Sequence, residues 1–167
     1  MTNLNESIKT YLKTPIHNPL LVTFTLKQKV SFTSNVGVCL IDLDEVRLRT
    51  NFRHFSNRLN KKVYGKSFER FGKRLKMIVV EEGGKNGIRL HQHTVIETPP
   101  HIDQHQFKTL ICNIWTNRTL WGYNNIHFDV PNETKGDVEG WINYITKSKT
   151  KGKDLHSSID WENTYLI

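Results

Sequence analysis

The chain has only two cysteines, Cys39 and Cys112, far apart and without Cys-x-x-Cys spacing. That argues against a disulfide framework and against a cysteine zinc site, and leaves both to be read as small buried apolar residues. No apolar run approaches the roughly 18 to 20 residues that cross a bilayer, and residues 1–13 mix polar and apolar positions without a signal-peptide core. Nothing therefore directs the chain out of the cytoplasm. Internal repeats, low-complexity stretches and linker-length turn-rich segments are also missing. Acid is scarce: 16 Asp plus Glu face 24 Lys plus Arg, a net charge of +8.

What is present is enough for a core. With 37% hydrophobic and 10% aromatic residues over 167 positions, one domain spanning residues 1–167 is expected, folding without metal or disulfide staples. The positive charge is not spread evenly. Residues 47–76 hold eleven Lys or Arg against the single acid Glu69, a net +10, while the other 137 residues carry 13 basic and 15 acidic groups. A localised patch points to a polyanionic partner; the plainer alternative is a solvated helix face. A short second cluster comprises Lys147, Lys149, Lys151 and Lys153.

Residues 20–27 alternate Leu20, Val22, Phe24 and Leu26 with Leu21, Thr23, Thr25 and Lys27, a strand with one apolar face. Residues 44–62 place Phe52, Phe55 and Leu59 at helical spacing, with Arg53, Arg58, Lys61 and Lys62 on other faces. Residues 74–82 and 88–97 read as a hairpin around a glycine-rich turn. Asp103 caps a helix whose Phe107, Leu110, Ile111 and Ile114 fall on one side. A strand over 123–130 and a helix over 137–149, capped by Asp137, complete the order β, α, β, β, α, β, α. This order predicts an α+β fold: a central antiparallel sheet with helices on one face and the other face open for a ligand.

His91 and His93 project from one strand face about 7 Å apart along the backbone. Paired histidines on a sheet are ordinary, but Glu81 and Glu82 precede the hairpin turn and fold back beside them. Pairing Glu82 with Arg89 or His91 puts its carboxylate on the histidine face; a one-residue slip delivers Glu81 instead. Two imidazoles and one carboxylate leave coordination positions free for substrate, as in a Lewis-acid site. Mixed nitrogen and oxygen ligation suits Mn²⁺ or Mg²⁺, with Zn²⁺, Co²⁺ or Ni²⁺ able to bind in vitro. On the last helix Val138, Trp141, Ile142 and Ile145 form the core stripe, about 80° of arc wide. Tyr144 and Lys147 lie off that stripe as i, i+3 neighbours and can address one site. A phenol attacks phosphorus only if its charge is stabilised, which a metal-polarised phosphate and an ammonium group can both assist.

Phe24-Thr25-Leu26-Lys27, His91-Gln92-His93 and Tyr144-Ile145-Thr146-Lys147 resemble, in order and placement, the three motifs of the HUH superfamily of single-strand DNA endonucleases, specifically rolling-circle replication initiator (Rep) proteins. Those segments span about three-quarters of the chain. The resemblance implies an acid before the hairpin turn as third metal ligand, commonly as Glu-Gly, which favours Glu82. It implies nicking and joining: the tyrosine attacks a phosphodiester, keeps the 5′-phosphate and releases a 3′-hydroxyl, initiating rolling-circle replication of a plasmid or phage. Lys147 would stabilise charge or protonate the leaving oxygen. Gln92 departs from the bulky apolar residue usual between the histidines and needs a hydrogen-bond partner if buried.

No helicase segment is recognisable, since Gly65-Lys66-Ser67 lacks the first glycine of a phosphate-binding loop, with Asn60 in its place. The expected partners are single-stranded DNA at an origin or hairpin and a host helicase and polymerase in a bacterial or archaeal cytoplasm, with no nucleotide cofactor. Arg53, Arg58, Lys61 and Lys62 are the expected phosphate contacts, forming a track towards the open face, with Thr23, Thr25 and Lys27 nearer the scissile strand. Two other readings share these residues. A single-tyrosine HUH transposase usually carries glutamine near its tyrosine, and a nonenzymatic RRM-like binder would place Phe or Tyr where Thr23, Thr25, His91 and His93 stand.

Overall fold

The computed structural model describes residues 4–84, 87–129, 140–141, 143 and 155–167. Four strands, β1 (Pro19–Leu26), β4 (Met77–Glu82), β5 (His91–Glu97) and β6 (Gly122–Asp129), form an antiparallel sheet in the order β4-β5-β1-β6. The alternation in β1 sorts its side chains as the sequence predicts. Leu20, Val22, Phe24 and Leu26 face helices α2 (Glu45–Tyr64) and α4 (Gln104–Arg118) in the main core. There the rings of Phe24, Phe52, Phe55 and Trp115 pack with centroids 4.4 to 6.3 Å apart, arrangements that stabilise beyond the area they bury. Both helices start on a capping aspartate: Asp44 accepts from the Arg47 amide, and Asp103, the predicted cap, from the His105 and Gln106 amides.

The second sheet face is only partly bare. Helix α1 (Leu4–Leu12) and the short α5 (Leu155–Ser158) bury Ile8, Leu12, Leu155, Ile159 and Leu166 against Leu21, Ile78, Val80 and Val95. Helices thus lie on both faces, and among the described residues the less covered end of this face is the one carrying Thr23, Thr25, His91 and His93, all partly exposed. Neither covering segment is recognisable in the sequence, because each is too short to show a period of its own. The C-terminal segment also seals the β4 edge: Met77 and Tyr165 exchange two backbone hydrogen bonds of 2.7 and 2.8 Å, and the Asp160 amide donates to the Val79 carbonyl at 2.9 Å. An edge so covered cannot template strand addition.

A hairpin of β2 (Lys29–Ser34) and β3 (Gly37–Asp42) forms a separate two-stranded sheet whose Val30 and Ile41 pack on the main core, and α3 (Lys66–Phe71) follows α2. This hairpin corrects the reading of Cys39, which is exposed opposite Phe32 on β3. Cys112 on α4 is only half-buried, with its thiol pKa raised by burial. The helix predicted over 137–149 falls largely outside the described residues. Within it, Gly140, Trp141 and Asn143 are helical, and Trp141 packs on the second-face core as its place in the apolar stripe requires.

Asp160 is fully buried; Asn163 donates to one carboxyl oxygen, and the other has no partner among the described residues. Burial pushes its pKa up to about 6, with the Glu81 charge adding and the Asn163 hydrogen bond opposing. The folded state therefore holds this proton more tightly than the unfolded chain. The resulting stability is present below about pH 4 and lost as pH rises through about 6. Asp160→Asn is expected to raise stability at pH 7.5 by about 1–2 kcal/mol and to change it little at pH 4. Urea unfolding at both pH values checks this; a difference that does not depend on pH would contradict it.

Candidate metal centre

The β4–β5 turn decides which acid meets the histidines. Gly83 has φ of +92°, and a Cβ there would lie 2.2 Å from the Arg89 carbonyl oxygen, so only glycine fits. The turn pairs Glu82 with His91 and Glu81 with Gln92. Because directly opposed residues share a face, Glu82 joins His91 and His93 while Glu81 points into the helix side.

Nε2 of His93 lies 3.0 Å from a Glu82 carboxylate oxygen and 3.2 Å from Nε2 of His91, which is itself 3.7 Å from the same oxygen. One ligand atom from each residue falls within 4.8 Å of the others. Nδ1 of His91 is 2.9 Å from the Arg89 carbonyl, which can only accept, so this nitrogen donates and a neutral ring presents its lone pair at Nε2. Nδ1 of His93 is 3.0 Å from the Thr23 hydroxyl, a partner able to hold the same tautomer. With both rings in this tautomer, two lone pairs and a carboxylate converge on one point, an arrangement that a bound cation stabilises. The donor set therefore fits a divalent ion held by Glu82, His91 and His93, with carbonyl and hydroxyl partners orienting the rings.

Glu81 has a different task. Arg49 on α2 donates to both its oxygens, at 2.6 and 2.9 Å, with the carboxylate fully buried. This pairing raises the Arg49 pKa, with burial opposing. The two glutamates should separate cleanly on substitution. Glu81→Gln weakens a bidentate buried pair and is expected to cost about 2 kcal/mol in chemical denaturation. Glu82→Gln is expected to leave stability nearly unchanged and to lower Mn²⁺ affinity measured by calorimetry about tenfold or more. Reversal of these two phenotypes would contradict the register. Gln92, between the histidines, is fully buried on the helix side, and neither amide atom has a partner among the described residues.

The remaining predicted residues divide. Thr23 is brought to the cluster, though as a partner of His93. The Thr25 hydroxyl donates to the Asn125 carbonyl, and Lys27 reaches the Leu120 carbonyl at 3.5 Å. Arg53, Arg58, Lys61 and Lys62 lie exposed on α2, across the sheet from the histidines, with Arg53 near Glu162 and Lys61 paired with Glu69. A strand touching both groups must pass round a sheet edge, so the predicted track does not run straight onto the open face. Tyr144 and Lys147 lie outside the described residues. Trp141, on the same predicted helix, sets its ring edge-on to His93 with centroids 6.0 Å apart. Sequence periodicity assigns this tryptophan to the core alone. His127 is a further residue that sequence reasoning does not bring to the site: it pairs with Thr23 on β6 and so shares the cluster's face. The alternation of Ile126 and Phe128 around it is the available signal.

Residues 19–152 match a family model described as replication-associated protein. Comparison with curated proteins and with solved structures returns no match.

Proposed function

Because the chain belongs to this family of replication-associated proteins, and so acts in replication initiation, we propose that it is a metal-dependent single-strand DNA endonuclease and strand transferase that opens and rejoins an origin through Tyr144. The observation that carries this reading is the convergence of Glu82, His91 and His93 on one point of the second sheet face. A divalent ion bound there, Mn²⁺ or Mg²⁺, would supply Lewis-acid polarisation of the scissile phosphate.

The chain's own groups do the rest. The Tyr144 phenolate oxygen attacks phosphorus, a tyrosine–phosphate bond forms, and the bond from phosphorus to the 3′-oxygen breaks. That oxygen leaves as a hydroxyl after taking a proton. Lys147 neutralises charge on the phosphoryl group or supplies the proton. A later 3′-hydroxyl reverses these steps and rejoins the strand, with no water or nucleotide consumed. Thr25 and Lys27 line the approach on β1, while Arg53, Arg58, Lys61 and Lys62 contact phosphates further along the strand. A host helicase opens the duplex, and a host polymerase extends the 3′-end.

Contact between Trp141 and His93 supports placing the tyrosine-bearing segment beside the cluster. Family membership favours an initiator over a transposase, and the imidazole–carboxylate set favours a nuclease over a stacking module. The test is incubation with Mn²⁺ and single-stranded oligonucleotides from the cognate origin. A covalent adduct and a released 3′-hydroxyl fragment should form in equal amounts. Fragments without adduct would exclude a covalent tyrosine mechanism.

A further inference from the structure

On the far side of the sheet a cavity of about 370 Å³ opens between α2 and the junction of α4 with β6. Its apolar wall is Val46, Leu120 and Trp121, and its polar side carries Arg47, Arg58, Arg118 and His54, with no acid among its lining residues. Two features make it more than a gap between helices. First, Val46 and Leu120 are 72% and 51% exposed, a hydration cost that a flat apolar ligand would relieve. Second, Arg58, Arg118 and His54 make no hydrogen bond or ion pair among the described residues, whereas Arg47 is held by Asp44. The wall itself is fixed by other contacts. Asn51 accepts from the Trp121 amide at 3.1 Å and donates to the Thr119 hydroxyl at 3.3 Å, so the wall is set before any ligand arrives.

A preformed apolar wall facing unpaired guanidinium groups calls for a ligand with a flat uncharged part and an anionic part. We propose that this cavity binds one nucleotide, its base against Leu120 and Trp121 and its phosphate on Arg58 and Arg118. The volume lies in the range of small-ligand sites. Two sources carry that chemistry: a free mononucleotide, or one unit of a DNA strand. The strand is favoured by position. The cavity adjoins β6, the edge strand two places from β5, and Lys27 reaches Leu120 from the β1 end nearest the metal ligands. A strand passing from the cluster face round the β6 edge arrives at this wall, held here away from the site of chemistry. The inference rests on the proposed function only for this choice of source.

The test uses the full chain with ¹⁵N-labelled tryptophan, in EDTA so that no cleavage occurs. A five-residue single-stranded oligonucleotide, dGMP and inorganic phosphate are titrated separately while the Trp121 indole signal, assigned with Trp121→Phe, is followed. The oligonucleotide is expected to shift that signal. Arg118→Ala and Leu120→Glu, both at exposed positions, should each weaken the response about tenfold or more. A response to the oligonucleotide alone identifies a strand unit, and an equal response to dGMP identifies a free nucleotide. No response to either, an equal response to phosphate alone, or responses unchanged by both substitutions would overturn the proposal. Because no nicking is measured, failure of the Tyr144 mechanism would leave this result standing.

Discussion

Tyr144→Phe is expected to abolish the covalent protein–DNA adduct, lowering single-strand cleavage in Mn²⁺ by about 10³-fold or more while binding of the same oligonucleotide changes less than about twofold. The expectation follows from the chemistry. Removing one oxygen deletes the proposed nucleophile, so the loss falls on the bond-forming step. The phenyl ring keeps its volume, and the charged groups proposed to hold phosphate are untouched. A denaturing gel with labelled oligonucleotide separates adduct from free strand. Adduct persisting in the variant would move the nucleophile to another residue. Cleavage persisting without adduct would replace transesterification with hydrolysis.

The second large effect is at the ligands. His93→Ala is expected to lower Mn²⁺ affinity by about 10²- to 10³-fold, or about 3–4 kcal/mol, and to remove cleavage at metal concentrations that saturate the unaltered chain. His93 touches both other members of the cluster, Nε2 of His91 and the Glu82 carboxylate. Its loss removes one ligand of three and frees the other two to drift. Stability should not follow affinity. In the absence of metal, taking one acceptor from a crowded set relieves repulsion, so the metal-free Tm is expected to stay level. The rise in Tm produced by added Mn²⁺ should disappear. Thermal scans with and without Mn²⁺ report both. A large fall in the metal-free Tm would make His93 a structural residue instead.

The sheet and its two main helices were legible in the sequence because their signals are local. Alternation in β1 separated Phe24 from Thr23 and Thr25, and Asp103 marked a helix start by a chemistry confined to one turn. The choice between Glu81 and Glu82 was not legible, since period-2 patterning tolerates both registers until a turn is fixed. The turn is fixed by Gly83, where neither a Cβ nor ordinary backbone angles fit. The covers supplied by α1 and the C-terminal segment were hidden for another reason. A nine-residue helix and a four-residue helix are stable only on the surface they bury, and that surface lies far along the chain. The same distance effect misled the reading of the basic helix. Composition placed +10 within residues 47–76, yet only the packing of α2 shows that Arg49 is consumed by Glu81 and that Arg58 faces a cavity across the sheet from the histidines.

The central claim is that Glu82, His91 and His93 form a metal site, and pulsed electron paramagnetic resonance of Mn²⁺ bound to the full chain tests it most directly. The account predicts one ion per chain with couplings to two imidazole nitrogens, reduced to one in His93→Ala. Bound Mn²⁺ that shows no nitrogen coupling would contradict it.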